Sequence, residues 1–281
     1  MSDERFYVLI CEIRDYTSTI QEEKMTIRNP VKEQLKAGKP TIGVFVITAH
    51  PTIAEVLAVN GFDWLVFDME HGVIGIESVE MMAQAISSTQ ALPVVRVPWN
   101  DFIIIKQVLD TGVMGLIIPM VNNAEQAQMA IKATRYPPEG IRGIGPHRAS
   151  AYGKTINQYF REANENILVV IQIEHFQAVE NIESILTVSG IDCVFIGAQD
   201  LAASMGFLGN PAHPDVQKSI DRVLNACRKA NIPCGLVAAG SDIDKRIKEG
   251  FQFIAVGHDV SLLNSACKNV FSQIKCLKKD E

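Results

Sequence analysis

Eight short apolar runs, each followed by a stretch of helical period, constrain the fold of this chain more than any other feature. They are "TIGVFVIT" (41–48), "DWLVFDME" (63–70), "LPVVRVP" (92–98), "GLIIPMV" (115–121), "ILVVIQIE" (167–174), "IDCVFIGA" (191–198), "PCGLVAAG" (233–240) and "FQFIAVG" (251–257). Each is short enough for a strand and rich in Val, Ile and Phe, which suit a sheet covered on both faces. Between them lie amphipathic stretches such as "GIESVEMMAQAISSTQ" and "HPDVQKSIDRVLNACRKANI", several ending at the Gly or Asn that stops a helix. Strands that alternate with helices form right-handed βαβ units and a parallel sheet. Eight units in a chain of 281 residues match an α/β fold of the (β/α)8 TIM-barrel class. A doubly wound open sheet is the alternative the same pattern allows.

Residues 1–24 precede this repeat and are expected to be an N-terminal extension to a single domain over 25–281; "MTIRNPVKEQLKAGKP" reads as its first helix. The extension carries a short apolar run between charges, with no small-residue cleavage site, and makes a poor signal peptide. Six cysteines with no CxxC spacing point to reduced thiols in a cytoplasmic protein. A net charge of −6 excludes an electrostatic case for nucleic acid. No 18-residue apolar stretch is present to span a membrane. The long connection after the fourth run, "RYPPEGIRGIGPHRASAYGKTINQYFREANEN", is of a length that tends to be functional.

Catalytic groups of such barrels sit where strands end at their C-terminal side. Side chains alternate along a strand, so parity sorts the polar ones. Val170, Gln172 and Glu174 share a face; Val194, Ile196, Ala198 and Asp200 share parity, with Asp200 past the strand end; Arg96 interrupts the third run. Asp68 and Glu70 share a face, and His71 falls on the other unless the strand has turned. Two carboxylates from different strands suit a hard divalent cation, Mg2+ or Mn2+, with coordination positions left open. A guanidinium stabilises a developing enolate oxygen, and a histidine moves protons near neutrality. Together they describe metal-assisted enolisation of a 2-oxo acid. An imine aldolase needs a lysine inside the barrel, yet Lys39, Lys106, Lys132 and Lys154 all lie in helical or loop segments.

"GFDWLVFDMEHG", "PVVRVPWND", "IKQVLDTGVMGLIIPMVNNAEQA", "RYPPEGIRG", "VVIQIE" and "VFIGAQDLAASMG" together resemble the HpcH/HpaI family of metal-dependent 2-oxo acid aldolases, over about residues 28 to 272. The resemblance implies Glu174 and Asp200 as ligands of Mg2+, Mn2+ or Co2+. It implies His71 as general base with Asp110 raising its basicity, and Arg96 as stabiliser of the enolate. Gln172, with the backbone around Gln199 and Asp200, would hold the pyruvate moiety. Asp68 and Glu70 become supporting polar groups. It also implies a homo-oligomer, a hexamer built of dimers that exchange the last helix, consistent with the apolar "LLNSACKNVFSQIKCL". Ala198, Gln199 and His175 depart from the family's usual residues beside the metal, which puts the fine substrate specificity in doubt. His147 and Arg148 are candidates for contact with the far end of a substrate. A citrate-lyase-like enzyme acting on acyl-CoA thioesters, or a non-catalytic barrel, are the other readings.

Overall fold

The computed structural model describes residues 28–274; the expected extension, Cys11 and Cys276 lie outside them. The eight runs all become parallel strands: β1 (Thr41–Val46), β2 (Trp64–Asp68), β3 (Leu92–Arg96), β4 (Gly115–Ile118), β5 (Leu168–Ile173), β6 (Cys193–Ile196), β7 (Cys234–Val237) and β8 (Phe253–His258). Each pairs with the next, and β8 pairs with β1, closing the barrel and ruling out the open sheet. Helices between the strands cover the outside through Val, Ile, Leu and Ala on their inner faces.

The barrel interior is a packed core of bulky side chains. Phe45, Trp64, Val66, Leu92, Val94, Ile117, Leu168, Val170, Phe195 and Phe253 fill it. Trp64 stacks on Phe253 with ring centroids 3.9 Å apart, and its indole N–H donates to Thr41 Oγ1 at 3.1 Å. Gly43 makes this possible, because a Cβ at that position would overlap the Trp64 ring. Gly43→Ala is therefore expected to destabilise the barrel at the upper end of the ~1–3 kcal/mol typical of overpacking; a denaturant melt measures it. The helix Pro30–Lys36 closes the N-terminal end of the barrel with Val31 and Leu35. Asn29 anchors it, capping Lys32 N–H and donating to the carbonyls of Met114 and Asn166.

The long connection is not structureless. Its second half is the helix Ile156–Asn166, which leads directly into β5, and Arg148–Ser150 form one 3-10 turn. The connection also lies at the N-terminal end of the barrel. Arg148 donates to the carbonyls of Thr111 and Ala83, at the returning ends of the helices Phe102–Asp110 and Ile76–Ala85. A guanidinium tying two helix C-termini satisfies carbonyls that no intrahelical bond reaches. Arg148 and His147, whose Nδ1 sits 3.1 Å from the Asp110 carbonyl oxygen, thus hold the fold at the end opposite the strand C-termini. Within this chain they do not reach a substrate there.

Candidate active site

β2 ends at Asp68, and Asp68 itself turns the chain. Its Oδ1 accepts the backbone N–H groups of Glu70 and His71 at 3.1 and 3.3 Å, and its carbonyl accepts Gly72 N–H at 3.1 Å. The turn frees His71 from strand parity and lifts it to the mouth, with 60% of its side chain exposed. Asp68 faces inward opposite Arg96, its register partner on β3. The two meet as a bidentate pair: Arg96 Nε donates to Asp68 Oδ1 at 2.9 Å and Nη2 to Oδ2 at 2.7 Å. Only 2% of the Asp68 side chain and 12% of the Arg96 side chain are exposed. Asp68 takes two of the five guanidinium N–H donors, leaving the others for a ligand. Arg96 also lies 4.8 Å over the Phe45 ring.

On β5, Gln172 is fully buried and aimed inward beside Glu174, and its Nε2 donates to Glu174 Oε2. Glu174 Oε1 accepts the Met120 backbone N–H at 2.7 Å. Met120 adopts a left-handed backbone, with φ of 55°, a conformation that is uncommon for a side chain of its size. Gly197, just past β6, packs so closely that a Cβ there would stand 2.8 Å from Glu174 Cβ. Asp200 is exposed in the first turn of the helix Ala198–Ser204, with Gln199 beside it.

Asp200 reaches the mouth differently from the parity expectation. The inward residues of β6 are Cys193 and Phe195, whereas Val194 and Ile196 face the surrounding helices. Asp200 is delivered by the helix that follows. Asp110 is not delivered at all within one chain. It ends the helix Phe102–Asp110, which runs from the C-terminal end of β3 back toward the start of β4. There it pairs with Arg142, whose Nη2 lies 3.0 Å from Asp110 Oδ1. The implied contact with His71 is not made inside the monomer, because the two residues occupy opposite ends of a strand layer.

Glu70 occupies the place beside His71. Its Oε2 lies 3.8 Å from His71 Nε2 and 3.1 Å from Arg96 Nε. The Arg96 Nε hydrogen points at Asp68, so Glu70 Oε2 is buried with no hydrogen-bond partner, as is Gln172 Oε1. Burial lifts the Glu70 pKa to about 7 against the pull of Arg96, with the charges of Glu174, Asp68 and Asp200 adding to the rise. Glu174 is also raised, chiefly by burial, with Asp200 adding and the Met120 and Gln172 hydrogen bonds opposing. Carboxylates crowded without enough donors fit a hard cation held through oxygen. Among the described residues no group of three or more His, Cys, Asp and Glu side chains is arranged to hold a metal ion. Glu174 and Asp200 would supply two ligands and leave the remaining positions to water and substrate. Neither Met120 nor Gly197 carries a sequence signal for a role here, and the family resemblance gave Glu70 only a supporting one.

The sequence profile described as "HpcH/HpaI aldolase/citrate lyase" matches residues 41–266. The chain belongs to this family. A Salmonella dublin protein named 4-hydroxy-2-oxo-heptane-1,7-dioate aldolase is 47% identical over 240 residues, covering 84% of this chain and 91% of that protein. Among solved structures, an HpcH/HpaI aldolase/citrate lyase family protein from Burkholderia cenocepacia superposes with a TM-score of 0.85 at 34% identity, covering 88% of this chain and 99% of that one. The citrate synthase SbnG superposes with a TM-score of 0.79 at 27% identity, covering 87% and 96%. This HpcH/HpaI member is accordingly a carbon–carbon lyase. Among the described residues no helix is long and apolar enough to cross a membrane.

Proposed function

We propose that this HpcH/HpaI family member is a divalent-metal-dependent aldolase that cleaves a 4-hydroxy-2-oxo acid to pyruvate and an aldehyde. The observation that carries the reading is the inward layer at one end of the closed barrel. There Arg96 is held by Asp68, Glu174 and Gln172 project beside it, and Glu70 Oε2 and Gln172 Oε1 are buried without a hydrogen-bond partner. A cation of the Mg2+, Mn2+ or Co2+ type, held by Glu174 and Asp200, would supply Lewis-acid polarisation of the 2-oxo group. Arg96 offers its remaining N–H donors to the oxygen on which enolate charge develops. Gln172 and the backbone amides at Gln199 and Asp200, in the first turn of a helix, orient the pyruvate half. His71, exposed at the mouth, exchanges the reaction's protons with solvent.

A role for Asp110 beside His71 then requires a second copy of the chain. Support for a homo-oligomer comes from the helix Asp259–Gln273: only Asp259 is buried, and Val260, Leu263, Val270 and Phe271 are exposed along it. The hexamer, the cytoplasmic location and the identity of the metal are part of the same proposal.

The test is pyruvate release from a panel of 4-hydroxy-2-oxo acids, read by coupling to lactate dehydrogenase, with Mg2+, with Mn2+ and with EDTA. Metal-dependent release supports the aldolase. Absence of release from every member despite metal binding would move the assignment to a thioester lyase, and absence of both to a non-catalytic barrel. In the active protein, His71→Ala is expected to lower kcat by about 10²–10⁴-fold, the range of general acid–base catalysis. Near-normal turnover in that variant would remove His71 from the reaction.

A further inference from the structure

We propose that Glu70 is a further catalytic residue, taking the proton of the substrate's 4-hydroxyl at Oε2 and passing it to His71. The proposal rests on the aldolase reading above. Two buried acceptors at this mouth lack a donor, Glu70 Oε2 and Gln172 Oε1. A buried acceptor left unpaired is costly to desolvate, so such atoms ask for the ligand that completes them. Gln172 already belongs to the pyruvate-holding group. Glu70 does not, and it stands just inside the mouth, 15% exposed against 60% for His71.

The separation of Glu70 Oε2 from His71 Nε2, 3.8 Å, is too long for a direct hydrogen bond and short enough for one bridging water or a small torsional swing. Asp68 holds the backbone N–H groups of both residues, so the turn fixes the two backbone positions from which these side chains extend. Arg96 keeps a positive charge 3.1 Å from the Glu70 carboxylate without donating to it. The oxygen is thus held in place yet left open to a hydroxyl. Asp110, the other carboxylate considered for His71, ends the helix that returns from β3 and so sits at the opposite end of the barrel within the same chain.

The step balances. The 4-hydroxyl O–H bond breaks and its proton goes to Glu70 Oε2. The C3–C4 bond breaks, and its electron pair moves into the C2–C3 enolate faced by Arg96. The C4–O bond becomes the aldehyde carbonyl. Glu70 returns to the carboxylate by passing the proton to His71 Nε2, and His71 delivers it to solvent, from which C3 of the enolate is protonated to pyruvate.

Oxalate separates this role from a structural one, because it mimics the planar enolate and carries no hydroxyl. Glu70→Gln keeps the shape and removes the proton acceptor. With Mg2+ present, the variant is expected to lose at least 10²-fold in kcat while its oxalate dissociation constant, measured by calorimetry, stays within threefold of the unsubstituted protein. Turnover within threefold of normal would overturn the proposal. So would parallel losses of turnover and oxalate affinity, which would make Glu70 a scaffold for Arg96. Failure of the unsubstituted protein both to cleave the panel and to bind oxalate would instead sink the aldolase reading.

Discussion

Glu174→Gln is expected to abolish activation by divalent metal and to lower kcat/KM by about 10³-fold or more, while barely moving the melting temperature. The magnitude follows from the several kcal/mol that a bound cation contributes to charge stabilisation, at 1.36 kcal/mol per tenfold in rate. The small stability effect follows from the hydrogen bonds. Met120 N–H donates to Glu174 Oε1, and a glutamine carbonyl oxygen accepts it equally well. The new amide N–H2 stands beside Gln172, whose Oε1 has no partner in the native arrangement; a rotation of the Gln172 amide would pair them. Glu174→Ala removes the same charge but strands the Met120 N–H, adding about 1–3 kcal/mol of destabilisation. Activity should therefore fall alike in both variants, and melting temperature in the alanine alone. A Glu174→Gln protein still activated by Mg2+ and silenced by EDTA would take Glu174 out of the ligand set.

The barrel was legible because a parallel strand covered on both faces must be apolar throughout, and eight such runs survive as eight strands. Their ends were less legible. Met69 and Glu70 continue the second run by composition, yet Asp68 bonds the following N–H groups and closes the strand there. That one side chain explains why His71 escapes strand parity. Parity succeeded on β5, where Val170 and Gln172 do face inward, and failed on β6, where Asp200 is placed by a helix. The pairing of Asp110 with Arg142 joins residues 32 apart across two loops, and no local pattern encodes it. Met120 is invisible to pattern because nothing in "LIIPMV" marks a left-handed residue; only the carboxylate that its amide faces gives the conformation a reason. Glu70 had a local signal, a second carboxylate two residues beyond Asp68, but its missing hydrogen-bond partner is a property of the assembled mouth.

Arg96→Met is expected to damage stability and catalysis together, and the two losses can be separated. Asp68 is almost wholly enclosed, and both its oxygens are held by Arg96. Removing the guanidinium strands a buried carboxylate, at a cost of about 3–5 kcal/mol. The same change removes the donor facing the enolate oxygen, which on the scale of a lost oxyanion contact lowers kcat by about 10²–10³-fold. Arg96→Lys should recover little of either, since a point charge cannot span two carboxylate oxygens as a planar fork does. Adding Asp68→Asn to Arg96→Met removes the stranded charge while keeping an oxygen for the N–H groups of Glu70 and His71. The double variant should regain most of the lost stability in a denaturant melt and none of the lost turnover. Recovery of turnover with stability would mean that Arg96 serves only to neutralise Asp68. Stability restored without turnover places the guanidinium in the chemistry, with Asp68 as the residue that makes its burial possible.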